Sequence, residues 1–329
     1  SLGKIGDLIY IPAVNKIEDI TKTSGTSPLK SIIEFVVKNI AKSSPAFTKL
    51  QQQYSDFSRV IKDEVTSNGL SLSSLTNDIN NEIQSWGISC DIDIASTDID
   101  TIINVGASFA GCEQSVALAD SHEKIYAAVG IHPEDVEELT EARMAWLKKT
   151  ASENEKVLAI GEIGLDYHYP EPAKEIQQQW FRRQLRLAAD IKKPVIIHSR
   201  ESCQDTLACM RAEHAEQIGG VIHCYSYSKE AAQEFLKMGF YFGFGGVVTF
   251  KNAKKAVEAV EAIPIEKILL ETDCPYMAPE PNRGKRNYSG YLPYVAERIA
   301  QIKQMTAQEV IDITNANARK LFGLSAAQD

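Results

Sequence analysis

Short apolar runs rich in isoleucine and valine recur from about Thr101 onward, and stretches with helical periodicity separate them. Runs of this length and composition indicate strands that are buried on both faces. The predicted strands are residues 101–106, 126–131, 157–163, 194–198, 220–224, 241–246 and 268–272. The predicted helices between them are residues 175–191, 203–213, 229–238 and 253–262. This alternation is typical of a parallel sheet covered by helices.

The last helix is marked by its capping residues. Thr306 and Glu309 have the spacing of a capping box, in which two side chains satisfy backbone N–H groups of the first turn. An amphipathic pattern follows and stops near Phe322 and Gly323. Glycine just past such a pattern is a stop signal, so we predict a helix between these two points.

The first hundred residues have a different pattern. Three amphipathic stretches of helical period begin near Pro28, Tyr54 and Leu75. We therefore predict an N-terminal helical segment over residues 1–96 and a second domain over residues 97–329. The apolar faces of the helices are expected to pack on each other or on the second domain, and the alternative is that they bind a partner protein.

Four residues with metal-ligating side chains lie where predicted strands stop. They are Glu162, His198, His223 and Asp273. The separations between them match one or two strand–helix units, which an antiparallel or all-helical domain would not give. Functional residues at the ends of several parallel strands are typical of a (β/α)8 barrel, so we predict an α/β fold of the TIM-barrel type. An open, doubly wound parallel sheet is the alternative fold.

These residue types suit a hydrolase that uses divalent metal ions. Such a site needs imidazole or carboxylate ligands that converge while one coordination position stays open for water. Glu162 has two oxygens and could bridge two metals, and Asp273 could bind a metal and also take the proton from the attacking water. We predict both as catalytic residues, with one or two ions of Mg2+, Mn2+ or Zn2+ per chain.

Charge and composition narrow the class of partner. The chain has 329 residues, a net charge of -9 and a pI near 5.3. This net charge argues against non-specific nucleic-acid binding through the field of the whole protein, although a local basic groove or bound cations could still attract DNA. No apolar run is long enough for a membrane helix, no leader pattern is visible, and the six cysteines form no Cys-x-x-Cys. We expect a cytoplasmic monomer.

Cations and tyrosines accompany the predicted ligands. Arg200 lies two residues after His198, and its planar fork suits bidentate contact with phosphate. The loop after Asp273 carries Arg283, Lys285 and Arg286, which could hold a nucleic-acid backbone. The tyrosines that could stack on a splayed base are Tyr169, Tyr276 and Tyr288.

Five longer motifs surround these residues. They are GIHP at 130–133, GEIGLDYHY at 161–169, KPVIIHSRES at 193–202, GGVIHCYS at 219–226 and ETDCPYMAPEPNRGKRN at 271–287. Over residues 97–324 the chain thereby resembles the TatD family of metal-dependent deoxyribonucleases. The resemblance implies a TIM barrel, divalent metals and hydrolysis of phosphodiesters in DNA, typically exonucleolytic on a single strand or an end.

The resemblance also implies roles for individual residues. The metal ligands would be Glu162, His198, His223 and Asp273. His132 would line the site, and Asp273 would act as the general base.

One part of the family pattern is missing. The family normally begins with a His-x-His strand that supplies two metal ligands, and no histidine precedes His122 here. Asp91 and Asp93 could replace that pair, since residues i and i+2 of a strand face the same way. However, too few residues separate them from the strand at 101–106 for a parallel crossover. A further candidate strand, residues 7–14, carries no ligand pair.

The N-terminal sequence offers an explanation. Residues 7–20 and 24–36 weakly resemble an ATPase of the overcoming-lysogenization or SMC-like kind. No phosphate-binding loop motif occurs in the chain, so ATP binding is not expected. We infer that foreign helical sequence has replaced the first βα unit of the barrel.

Three functions are therefore compatible with the sequence. A metal-dependent deoxyribonuclease is favoured by the motifs, although the missing His pair predicts impaired activity. An amidohydrolase-like enzyme acting on a small molecule is the second, because a fold alone does not fix a substrate. The third is a catalytically weak binding module, which the missing His pair favours.

Overall fold

The structure is a computed structural model of the chain, and it describes residues 9–10, 13–14 and 101–324. These residues belong to one of the two units into which the chain divides, residues 1–16 with 96–329. The predicted N-terminal helices lie outside the described residues, as do Asp91 and Asp93. The domain boundary near residue 96 stays a prediction.

A parallel sheet forms the centre of the described part of the chain. Its strands are β1 Ile9–Tyr10, β2 Ala13–Val14, β3 Thr101–Gly106, β4 Ile125–Val129, β5 Val157–Asp166, β6 Val195–Arg200, β7 Gly220–Ile222, β8 Tyr241–Phe244 and β9 Ile268–Leu270. From β3 to β9 each strand pairs with the next one along the chain, always in parallel. These seven strands curl into a half-barrel, which confirms the predicted TIM-barrel type of α/β fold.

The other edge of β3 is occupied by two very short strands. β1 and β2 both pair with it in parallel, with Ile9 opposite Thr101 and Ala13 opposite Val105. Both fall within the candidate strand predicted at residues 7–14. In chain order, β1 and β2 occupy the position of the first strand of a barrel. Their four residues include no His, Asp, Glu or Cys that could bind a metal.

Helices connect the strands and cover the outside of the sheet. They are α1 Phe109–Ser121, α2 Glu141–Glu153, α3 Lys174–Ile191, α4 Cys203–Ala212, α5 Lys229–Lys237, α6 Lys254–Ala262, α7 Leu292–Lys303 and α8 Ala307–Phe322. The capping box predicted for α8 is present, since Thr306 and Glu309 each bond the other's backbone N–H, and the helix ends at Gly323 with φ 68°. In the described ranges no helix is both long and apolar enough to cross a membrane.

The strands from β3 to β9 are largely buried on both faces because alternate side chains enter two different cores. In β6, Val195 and Ile197 pack under the helices, whereas Ile196 points into the interior of the curled sheet. The interior cluster also includes Ala318 and Phe322 of α8. This double burial is the reason why the strands appear in the sequence as continuous apolar runs.

Two strands extend further than their apolar runs predicted. β5 continues to Asp166 and β6 to Arg200, because the two strands pair with each other along their C-terminal halves. The prediction that Glu162 and His198 mark strand ends is therefore wrong, since both lie inside strands. The other two predicted ligands follow β7 and β9, as expected.

The backbones of β5 and β6 approach closely at Gly164. This residue has φ 150°, and a Cβ placed on it would lie 1.8 Å from the carbonyl oxygen of His198. No side chain fits there without moving a strand. Gly164 therefore allows the two strands that carry Glu162 and His198 to lie against each other.

We expect Gly164→Ala to lower the free energy of unfolding by about 3 kcal/mol or more, because it adds a steric overlap to backbone strain. Gly219→Ala is the matched control: Gly219 also has positive φ, at 73°, but nothing lies within 4 Å of a Cβ there. Strain alone should cost the control about 1 kcal/mol. Urea denaturation followed by circular dichroism measures both, and equal midpoints would contradict the close approach.

Candidate metal centre

One buried carboxylate, Glu162, is surrounded by imidazole rings. Its Oε1 lies 2.8 Å from Nδ1 of His198, 3.9 Å from Nε2 of His223 and 4.0 Å from Nε2 of His132. Ligand atoms of His132, Glu162 and His198 all lie within 4.8 Å of one another. Residues far apart in the sequence thus converge on a single carboxylate.

The alternation of side chains along the strands explains this convergence. Ile196 and Val221 face the interior of the curled sheet. A residue two places further along a strand points the same way, which places His198 and His223 above that interior core. The predicted ligands therefore form a polar layer on the apolar interior, in the C-terminal halves of the strands or just after them, on the side where barrel enzymes have their active sites.

Both ring nitrogens of His198 contact a carboxylate. Nδ1 is 2.8 Å from Oε1 of Glu162, and Nε2 is 2.9 Å from Oδ2 of Asp166. The second oxygen of Asp166 accepts the backbone N–H of His168 at 2.9 Å. A metal ligand needs one free ring nitrogen, so one of these carboxylates can orient the ring while the other shares the cation.

His223 is held by Glu271 and directed towards Asp273. Its Nδ1 is 2.8 Å from Oε2 of Glu271, while Nε2 lies 3.5 Å from Oδ1 of Asp273. The other oxygen of Glu271 accepts the backbone N–H of Cys224 at 2.6 Å. Two ligands of a tetrahedral ion with bonds of about 2.1 Å lie about 3.4 Å apart, which is close to the separation of His223 and Asp273.

Burial and neighbouring charges both shift the pKa values of the ionisable groups here. Burial lowers the pKa of His132 to about 4, and nearby His198 adds to this effect. Burial would also lower the pKa of His198, but the hydrogen bonds with Asp166 and Glu162 raise it to about 9. Burial would raise the pKa of Glu162, yet the charge of His223 and the bond from His198 bring it well below its ordinary value. Glu162 is therefore an anion.

The donor set fits a divalent cation. Glu162, Asp166 and Glu271 bring three buried acidic side chains to one place, where charged imidazoles balance them. Imidazole and carboxylate are the donors that Zn2+ and Mn2+ accept. A cation would take over the compensating charge, and the imidazoles would then ligate in their neutral form.

Two residues predicted to bind substrate border this cluster. Nδ1 of His132 accepts the backbone N–H of Glu134 at 3.3 Å, which leaves the ring proton on Nε2, facing Glu162. In this tautomer His132 is a donor towards the site, so we place it with the substrate rather than among the ligands. Nη1 of Arg200 lies 3.9 Å from Oδ2 of Asp166, at the solvent side.

The loop predicted to hold phosphate is partly engaged elsewhere. The guanidinium of Arg283 lies over the ring of Phe250, 4.2 Å from its centroid. Lys285 is exposed in the same loop. Asn287 is buried, and its amide donates to the carbonyl oxygen of Tyr276 at 2.7 Å. Contact between these cations and DNA stays a prediction.

Two acidic residues of the site were not predicted from the sequence. Asp166 follows Glu162 by four residues, and Glu271 precedes Asp273 by two. An even separation along extended chain places each on the same face as a predicted ligand. The even sequence separation of each residue from a predicted ligand is the signal by which both could have been found in the sequence.

Two buried glutamines of α3 fasten the backbone beside the site. Gln177 donates to the carbonyl oxygen of Asp166 and accepts its N–H, both at 2.9 Å. Gln184 does the same for Ile131, at 3.1 Å and 2.8 Å. A primary amide carries a donor and an acceptor side by side, so it can satisfy both backbone groups of one residue. α3 thereby fixes the chain at Asp166 and next to His132.

Parallel strands in chain order, with imidazole and carboxylate ligands converging above an apolar interior, define a metal-dependent hydrolase built on a barrel-type fold. The chain belongs to the family described as TatD related DNase, whose model matches residues 76–323. The resemblance inferred from the motifs is thereby confirmed. The ATPase-like resemblance of residues 7–20 and 24–36 lies before the matched region and stays a prediction.

Relatives support the same assignment. The chain is 45% identical over 227 residues to a Bacillus subtilis protein named uncharacterized metal-dependent hydrolase YabD, covering 69% of this chain and 89% of that protein. It is 35% identical over 240 residues to the Escherichia coli K12 hydrolase YcfH, covering 71% and 87%. The crystal structure of YJJV, a TatD homologue from Escherichia coli K12, superposes with a TM-score of 0.66 at 29% identity, covering 69% and 88%.

We expect Glu271→Gln to weaken the binding of Zn2+ or Mn2+ by about 10- to 100-fold, as is usual when the partner of a ligating histidine is lost. In this variant the amide oxygen can still accept a hydrogen bond from His223. The amide nitrogen then faces the backbone N–H of Cys224, so two donors oppose each other. Isothermal titration calorimetry measures the affinity, with Glu297→Gln on exposed α7 surface as the control.

A second variant tests the same role without removing the carboxylate. A Cβ on Gly243 would lie 2.0 Å from Oε2 of Glu271, so Gly243→Ala should displace that side chain. We expect a loss of metal affinity in the same direction. Unchanged affinity in both folded variants would show that Glu271 does not orient His223.

Proposed function

We propose that this protein is a metal-dependent deoxyribonuclease that hydrolyses phosphodiester bonds in DNA. The observation that supports this best is the exposed guanidinium of Arg200 beside a buried cluster of metal-ligating side chains. Its Nη1 lies 3.9 Å from Asp166, which also contacts His198. A phosphate bound by this guanidinium would lie next to the cation site. A neutral amide substrate would offer Arg200 no comparable partner.

The side chains that would hold a cation are Glu162, His198, His223 and Asp273. A bound divalent cation supplies positive charge to the phosphoryl oxygens and lowers the pKa of the attacking water. Glu271 and Asp166 would keep the two imidazoles in the orientation that ligation needs.

Asp273 is the side chain that we assign as proton acceptor. Its side chain is 18% exposed, against 4% for Glu162, so water can reach it from the solvent side. As the water oxygen bonds to phosphorus, the water proton passes to Asp273, and the P–O bond to the leaving group breaks. The leaving oxygen takes its proton from solvent. Nε2–H of His132 can donate a hydrogen bond to a phosphoryl oxygen.

Release of nucleotides from labelled single-stranded DNA in the presence of Mn2+ or Mg2+ tests this proposal. We expect Glu162→Ala to reduce the rate by about 100-fold or more, because the central anion of the ligand set is lost, and Asp273→Asn to do likewise, because the proton acceptor is lost. Glu297→Gln should leave the rate unchanged, and a chelator should abolish it.

Other outcomes identify the alternatives. Binding of DNA and metal without turnover in the presence of Mg2+, Mn2+ or Zn2+ would contradict the nuclease proposal and favour a binding module. Hydrolysis of small amides or lactones without action on DNA would favour the amidohydrolase-like function.

The number of bound cations tests the missing His pair. We expect one ion per chain by native mass spectrometry, because β1 and β2 bring no ligand to the sheet. Asp91→Asn and Asp93→Asn should not change that number. Two ions in the unmodified protein, reduced to one by either substitution, would instead show that Asp91 and Asp93 replace the His pair.

A further inference from the structure

We propose that Tyr169 and Arg200 form a nucleotide subsite beside the metal centre, where the tyrosine ring stacks on an unpaired base and the guanidinium binds the adjoining phosphate. This inference rests on the proposed nuclease function and names the residues that would hold a nucleotide of the substrate beside the metal centre. It starts from the pairing of β5 with β6, which brings the residues that follow Glu162 next to those that follow His198.

The register of these strands places the two residues together. Asp166 pairs with Arg200 at the end of the sheet, and the backbone N–H of Tyr167 donates to the carbonyl oxygen of Arg200 at 2.9 Å. The chain then leaves the sheet through His168 and Tyr169. The guanidinium carbon of Arg200 comes to lie over the ring of Tyr169, 5.8 Å from its centroid.

The guanidinium of Arg200 is available to an anion. Its side chain is 45% exposed, and the 3.9 Å separation from Asp166 is an ion pair that is too long for a hydrogen bond. Asp166 already uses its oxygens on His198 and on the backbone of His168. Arg200 thus lies next to the candidate metal centre through Asp166, while nearly half of its side chain is exposed.

The ring of Tyr169 is exposed, and a neighbouring side chain supports it. The residue is 51% exposed. His168 packs edge-on against its ring, with centroids 4.8 Å apart, and Nδ1 of His168 is tied to Glu201 at 2.8 Å. A single exposed tyrosine would need no explanation. Tyr169 differs because His168 packs against its ring and the exposed guanidinium of Arg200 lies beside it. Together they provide the two elements of single-strand binding, an aromatic face and a cation.

The proposed subsite discriminates against duplex interiors. Bases within a duplex are already stacked on each other, so an aromatic side chain can engage only a base that is unpaired or at an end. The guanidinium contacts phosphate and carries no sequence information. We therefore expect preference for single strands without preference for sequence.

Binding of two matched probes tests the subsite separately from catalysis. The probes are a short single-stranded oligothymidylate and the same oligomer with abasic sites, both with phosphorothioate linkages that resist hydrolysis, and binding is followed by fluorescence anisotropy with Mn2+. We expect Tyr169→Ala to weaken binding of the oligothymidylate by about 10-fold or more, and Tyr169→Phe to restore it. On the abasic probe Tyr169→Ala should have no effect.

Arg200→Ala should weaken both probes alike and reduce the dependence of affinity on salt by about one phosphate contact. Tyr294→Ala, an exposed tyrosine on α7, is the control and should bind both probes as the unmodified protein does. Unchanged affinity of Tyr169→Ala for the oligothymidylate, or an equal loss on both probes, would overturn base stacking. Failure of the nuclease proposal would appear elsewhere, as absence of turnover on hydrolysable DNA.

Discussion

The need to compensate a buried carboxylate organises the centre of this protein. Glu162 is only 3% exposed, and an anion in such a place is tolerated only with charged or hydrogen-bonding partners. Imidazoles from neighbouring strands provide that compensation, and a bound divalent cation would add to it. Because the partners come from different strands, they converge only if the strands keep their parallel order. The glycine at 164 and the two glutamines of α3 preserve the backbone positions on which this arrangement depends.

The exposed fraction of the side chains increases from Glu162 towards Asp273 and Arg200, so these groups lie at increasing distance from the buried interior. Asp273 has a side chain that is 18% exposed, and that of Arg200 is 45% exposed. The inner groups are suited to holding a cation, the intermediate carboxylate to accepting a proton from water, and the outer guanidinium to receiving a phosphate. Apolar side chains such as Ile196 fill the interior beneath this polar layer, and among the described residues the site is exposed on the side of Asp273 and Arg200.

The sequence predicted the strands from β3 to β9 well because they are largely buried on both faces and therefore contain continuous apolar runs. It did not show α1, whose buried face consists of small residues such as Gly111 and Ala119 that leave little hydrophobic pattern. The position of Glu162 inside β5 depends on pairing with β6, which no local pattern records. The motifs contain the four proposed ligands, whereas Asp166 and Glu271 were recognised only from the contacts in the structure. The stacking of Arg283 on Phe250 is a tertiary contact that charge patterning does not reveal.

The most direct test of a cation at the buried carboxylate is an anomalous difference map from crystals of the protein grown with Zn2+ and measured at the zinc absorption edge. We predict a peak at about 2.0–2.2 Å from a carboxylate oxygen of Glu162, with a ring nitrogen of His198 or His223 at a similar distance. A zinc peak elsewhere in the molecule, with none at Glu162, would contradict the assignment of this cluster as the metal centre.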